Sequence, residues 1–130
     1  MAIGFIGLGN LGRAITTRLV SLGEELVIFN RDKKKIEDLP YTKANTPKEL
    51  ISKCEVIFLC LFDSDAVSNI LKGENGLLCE ELIGKTIIDL TTNHYERVLE
   101  FRQKFATPFR NCFFRCLFIW HRFFFNDHLL

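Results

Sequence analysis

Six residues, Gly7-Leu8-Gly9-Asn10-Leu11-Gly12, constrain this chain more than any other stretch. A short apolar run, Ala2 to Ile6, leads straight into them, and from Leu11 the apolar residues switch to helical spacing at Leu11, Ala14, Ile15, Leu19 and Leu22. Gly23 follows where a helix would end, a position that accepts a left-handed backbone at little cost. Strand, glycine turn and helix in that order make GxGxxG a dinucleotide-binding signature rather than a chance match. Gly7 permits the tight turn, Gly9 lets a pyrophosphate approach the backbone, and Gly12 lets helix and strand pack closely. The free amides and the positive dipole end of the helix attract phosphates. A tight turn that binds nothing is the competing reading.

The rest of the chain repeats the alternation. Glu25 to Phe29 reads as a second buried strand, with Asp32 capping a short helix that opens on Lys33-Lys34-Lys35 and that Pro40 stops. A third strand is expected near Tyr41 to Lys43. Thr46-Pro47-Lys48-Glu49 is a helix start, with Thr46 as cap, Pro47 in the first turn and Glu49 closing a capping box. Val56 to Leu61 is an unbroken apolar strand, which must be covered on both faces and so implies a parallel sheet. Asp63 starts a helix to about Leu71, and Leu77 to Ile83 is expected to form a further helical segment. Lys85 to Leu90 is the next strand, and Asn93-His94-Tyr95-Glu96 carries a cap pattern for a helix through about Lys104. Five strand-and-helix alternations predict an α/β fold of Rossmann type, a doubly wound parallel sheet in a single domain, with its ligand crevice at the carboxyl ends of the strands.

Composition bounds the alternatives. At 130 residues the chain holds one domain with a real core. A formal net charge of +1 leaves no electrostatic footprint for nucleic acid or an anionic membrane. The opening residues lack a basic n-region and cleavage site, and their apolar run is too short to span a bilayer. Five cysteines in no disulfide framework favour a reducing cytoplasm. Cys112 and Cys116 with His121 and His128 match no compact zinc finger well.

Residues 1–104 form the expected domain, and 105–130 differ. This last segment holds eight of the thirteen phenylalanines, with no glycine and no lysine. Arg115, His121 and Arg122 interrupt its apolar runs, so it cannot be a membrane helix. Neither helical nor strand periodicity holds across it, and it reads as an atypical tail. Phenylalanines at this density favour self-association, unless the tail docks on the sheet.

The end of the second strand selects the dinucleotide. An NAD site places an acidic residue about 20 positions after the glycines, to bond the ribose 2′-hydroxyl. Here Asn30 and Arg31 occupy that place, and both can bond a 2′-phosphate that an acid would repel. Lys33, Lys34 and Lys35 add positive potential or simply form a solvated helix face. NADP is favoured, with NAD open.

These motifs resemble those of the β-hydroxyacid dehydrogenases, the family of 3-hydroxyisobutyrate, tartronate semialdehyde and 6-phosphogluconate dehydrogenases. Ile3 to Gly12 is similar to the family's Gly-Phe-Ile-Gly-Leu-Gly-x-Met-Gly opening, with Leu11 in place of Met. Asn30-Arg31, Thr46-Pro47, the strand before Leu61-Phe62, Gly73-Glu74-Asn75-Gly76-Leu77 and Asp89-Leu90-Thr91-Thr92 also fall where that family has counterparts. The resemblance covers residues 1 to about 104. It implies cofactor contacts from Gly7, Leu8, Gly9, Asn10, Leu11, Gly12, Asn30 and Arg31. It also implies that Leu61 and Phe62 lie against the ribose and nicotinamide, Thr92 near the nicotinamide, and Thr91 towards the substrate. Helix capping is the structural alternative for both threonines. His94, in an expected first helical turn, reads as a surface residue sooner than a general base.

The family continues with a substrate-gripping Gly-Gly turn and an all-helical domain bearing a catalytic lysine. No lysine follows Lys104, and no glycine follows Ala106-Thr107-Pro108-Phe109. The resemblance therefore implies an NADP(H)-binding half without the acid/base residue. Positioned proton transfer contributes about 10²–10⁴-fold in rate, so no catalytic residue is assigned. The alternatives are a truncated dehydrogenase, an NADP(H)-binding module without turnover, and an interaction protein using its tail.

Overall fold

The computed structural model describes residues 2–105 and 112–120. Six parallel strands form one sheet: β1 (Ile3–Ile6), β2 (Leu26–Phe29), β3 (Thr42–Lys43), β4 (Val56–Leu59), β5 (Thr86–His94) and β6 (Phe113–Trp120). Their spatial order, β3-β2-β1-β4-β5-β6, reverses direction between β1 and β4. That order is the doubly wound arrangement, in which the crevice opens where strand order reverses. The Rossmann-type fold expected from the alternation is what the chain adopts.

The helices are α1 (Asn10–Ser21), α2 (Pro47–Lys53), α3 (Ser64–Lys72) and α4 (Tyr95–Phe105). Thr46 caps α2 by accepting the Glu49 amide at 3.1 Å, and the Glu49 carboxylate returns to the Asn45 amide at 2.7 Å. Asp63 caps α3 through the Ala66 amide, and Asp32 caps a single 3₁₀ turn, Lys33–Ile36, through the Lys34 amide. Gly23 closes α1 with a φ of +89°.

Two cores flank the sheet. Phe5, Leu8, Leu26, Ile28 and Ile36 form the smaller one beneath α1, with Phe5 and Phe58 stacked at 5.9 Å. Leu50, Ile57, Leu71, Ile87 and Phe101 anchor the larger core under the other helices. Each fully buried side chain of this kind contributes about 1.5–3 kcal/mol.

Four sequence expectations are corrected. The residues α1 buries are Gly12 and Thr16, while Leu11 and Leu22 are exposed. Ile15 and Leu19 do pack against the core, beside the row of Gly12 and Thr16, where the absence of a side chain on the glycine brings helix and strand close. The segment after Gly76 makes only a 3₁₀ turn, Leu77–Cys79, before a link to β5 that turns at Ile83 and Gly84. β5 runs four residues past Leu90, so Thr91, Thr92 and Asn93 are strand residues. Lastly, Phe113–Trp120 is a strand of the sheet rather than an aperiodic tail, paired in parallel with β5. Phe114, 8% exposed, stacks on Phe105 of α4 at 4.9 Å and meets Phe101 edge-on at 6.1 Å. Arg115 beside it is exposed. That inward aromatic anchor is worth about 0.5–1.5 kcal/mol per ring pair beyond burial.

Candidate functional site

The carboxyl ends of β1, β2, β4 and β5 frame a cleft of about 550 Å³, within the range of small-ligand and cofactor sites. Its floor is the glycine loop, and each glycine meets a different requirement. Gly7 has a φ of +99°, and a Cβ there would stand 2.1 Å from the Cys60 carbonyl oxygen. A Cβ on Gly12 would stand 2.1 Å from the Gly7 carbonyl oxygen, so the helix can cross the loop only without a side chain. Around Gly9 a Cβ would meet nothing within 4 Å. The first two are needed by the protein itself, and the third leaves open space facing the cleft. Gly9 also caps α1 with no side-chain hydrogen bond, so the first-turn amides keep their donors for something outside the protein.

Asn30 locks the loop to β2. Its Oδ1 accepts the Leu8 amide at 3.0 Å, and its Nδ2 donates to the Asp32 carbonyl at 2.8 Å. Leu8 is 1% exposed, so its side chain belongs to the core and it shapes the loop from below. Arg31, exposed beside Asn30, makes no hydrogen bond or ion pair among the described residues, and Lys35 also borders the cleft. Arg13 ties the 3₁₀ turn carrying Lys35 to α1, donating to the Lys35 carbonyl and pairing with Asp38 at 3.3 Å. The Arg13 hydrogen bond holds the Asp38 carboxyl below its ordinary range. Among the described residues lining the cleft the one acid, Asp32, is engaged on the Lys34 amide at 3.2 Å.

The opposite lip is apolar. Leu61 is half-buried, Phe62 is 92% exposed, and Thr92 is exposed, all three bordering the cleft with Asn10 and Leu11. Cys60 borders it too, and burial, with the nearby Asp89 charge, pushes its thiol up. Thr91 does not reach the cleft. It is 1% exposed, and its Oγ1 accepts the Leu61 amide at 2.9 Å. The residue expected on the substrate side thus holds a wall in place. His94 ends β5, exposed and away from the cleft lining, with its amide on Ser64 Oγ at 3.1 Å.

Sequence reasoning missed Asp89, Asn93 and Ser64, a buried polar set behind that wall. Its one signal was the acid in the middle of an apolar strand. Burial raises the Asp89 carboxyl above its ordinary range, against hydrogen bonds from Thr91 and Asn93 that lower it.

Residues 2–110 match the NAD binding domain of 6-phosphogluconate dehydrogenase. The chain belongs to that family. Among curated relatives, cytokine-like nuclear factor N-PAC of Xenopus tropicalis is 33% identical over 104 residues, covering 78% of this chain and 20% of that protein. A probable 3-hydroxyisobutyrate dehydrogenase-like protein of Arabidopsis thaliana is 34% identical over 95 residues, covering 70% of this chain and 31% of that protein. The chain therefore spans less than a third of either relative. Among solved structures, "Psf3 in complex with NADP+ and 2-OPP" superposes with a TM-score of 0.78 at 30% identity, covering 87% of this chain and 40% of that one. The 6-phosphogluconate dehydrogenase-type domain here is the cofactor half of the hydroxyacid dehydrogenase family.

Among the described residues, no helix is long and apolar enough to cross a membrane, and no group of three or more His, Cys, Asp or Glu is placed to hold a metal ion. His121 and His128, considered above as zinc ligands, lie outside the described residues.

Proposed function

We propose that the chain binds NADP(H) in the cleft in preference to NAD(H), and binds it without turning over a hydroxyacid. The observation that carries the preference is the pair of cations, Arg31 and Lys35, bordering the cleft where β2 ends, with Asn30 where an NAD site has its acid. The solved relative bound to NADP+ supports the same reading. In this arrangement the pyrophosphate rests over Gly9 on the first-turn amides of α1. The adenosine 2′-phosphate faces Arg31, and the nicotinamide half extends over Leu61, Phe62 and Thr92.

Bound nicotinamide supplies hydride transfer, but a hydroxyacid oxidation also needs a proton acceptor at the carbinol oxygen. Cys60 is the one titratable group at the nicotinamide end of the cleft among the described residues, and burial keeps its thiol protonated. The described residues of the cleft therefore serve to bind and orient the dinucleotide.

Fluorescence titration of NADPH and NADH on the wild type and on Arg31→Ala tests the preference. NADPH is expected to bind the wild type about tenfold or more tightly, since one charge-assisted bond contributes about 1.5–3 kcal/mol and exposure reduces it. Arg31→Ala should remove most of that margin. Equal affinities before and after the change refute the assignment.

A further inference from the structure

The buried polar set behind the apolar lip does more than fill space. Asp89 Oδ1 accepts the Thr91 amide at 2.9 Å and Oδ2 accepts Asn93 Nδ2 at 2.7 Å. Asn93 Nδ2 also donates to the Thr91 carbonyl at 3.0 Å, and Asn93 Oδ1 accepts the Ser64 hydroxyl at 2.8 Å. Thr91 Oγ1 then accepts the Leu61 amide, and Ser64 Oγ accepts the His94 amide. All four side chains are 3% exposed or less. The β4–α3 connection is thus fastened to the tip of β5 at two places, Leu61 and Ser64. Phe62, 92% exposed, stands between those fastenings. Both flanks of its backbone are held, Leu61 by a part-buried hydrogen bond to Thr91 and Ser64 by a buried one to Asn93.

We infer that Thr91, Asn93 and Ser64 are positioning residues, which hold Leu61 and Phe62 at the height where the nicotinamide half of a dinucleotide lies. This inference rests on the reading that NADP(H) occupies the cleft. The strand order supports the division of labour. With the pyrophosphate over β1 and the adenosine towards β2, the other half of the ligand passes over β4 and β5, where these fastenings are. The fastening joins β5 to the β4–α3 connection, on the other side of β1 from Arg31 at the end of β2, so loosening it affects the nicotinamide half more than the adenosine half. Ordering the lip in advance also lowers the entropy cost of binding.

Two probes separate the halves: NADPH, and adenosine 2′,5′-bisphosphate, which lacks the nicotinamide half. Thr91→Val removes the acceptor for the Leu61 amide while keeping the branched shape; Thr91→Ser restores the hydroxyl. Thr91→Val is expected to weaken NADPH about tenfold and to abolish the change in nicotinamide emission on binding, leaving the bisphosphate within about twofold. Thr91→Ser should return both readouts towards wild type, and Ser64→Ala should act as Thr91→Val does, deciding the matter should Thr91→Val not fold. Equal losses for both probes, or no loss for either, overturn the positioning role. A wild type that binds neither probe instead overturns the cofactor reading, and this inference with it.

Discussion

The amide of Leu8 donates to Asn30 Oδ1 at 3.0 Å across 22 residues of sequence, fastening the glycine loop to the end of the neighbouring strand. The same side chain spends its amide nitrogen on the Asp32 carbonyl. Asn30 therefore serves the loop first, and in the proposed NADP(H) complex recognition of the 2′-phosphate falls mainly to Arg31.

Asn30→Ala leaves the Leu8 amide without its acceptor, at a cost of about 1–3 kcal/mol. Thermal melts should drop, and NADPH and NADH should weaken together. Asn30→Asp keeps the acceptor but places a negative charge beside the ribose, so it should lower NADPH affinity about tenfold and spare NADH. A fall in NADH equal to that in NADPH for Asn30→Asp contradicts this.

The glycines separate folding from binding. Gly12→Ala drives a methyl group into the Gly7 carbonyl and should cost about 3 kcal/mol or more, lowering the melting temperature by on the order of 10 °C. Gly9 has φ −73° and open space around it, so Gly9→Ala should keep stability within about 0.5 kcal/mol while losing most NADPH affinity. Calorimetry and titration on the same two variants check both halves, and a Gly9→Ala protein that binds normally contradicts the phosphate seat.

Asp89 gives the fold a pH dependence of known sign. Its folded-state carboxyl lies above the ordinary value of 3.8 because burial disfavours the charge. Its contribution to stability is therefore fully present below that value and is lost as pH rises through the folded-state pKa. Measured by denaturant melts, the stability of wild type relative to Asp89→Asn should fall with rising pH from about 3.8 upwards and then level off. A difference that grows over that window contradicts the assignment.

What the sequence revealed follows from which forces are local. The glycine turn, the Asp32 and Thr46 caps and the β4 strand were legible because sterics and backbone hydrogen bonding dictate them within a few residues. The lip was not. Thr91-Thr92-Asn93 before Tyr95-Glu96 looks like a helix cap, and only long-range burial reveals that alternate positions face a polar interior. Phe113–Trp120 was equally opaque, since Arg115 breaks the apolar run and only contact with Phe101 and Phe105 shows that Phe114 points inward.

The account depends most on phosphates seated at the start of α1, and amide chemical shifts report that contact directly. In a nitrogen-15 labelled sample titrated with NADPH, the amides of Gly9, Asn10, Leu11 and Gly12 should show the largest saturable shifts, those at the far end of α1 near Ser21 the smallest. Saturation of the protein with those four amides unmoved, or no saturable shift at all, would contradict it.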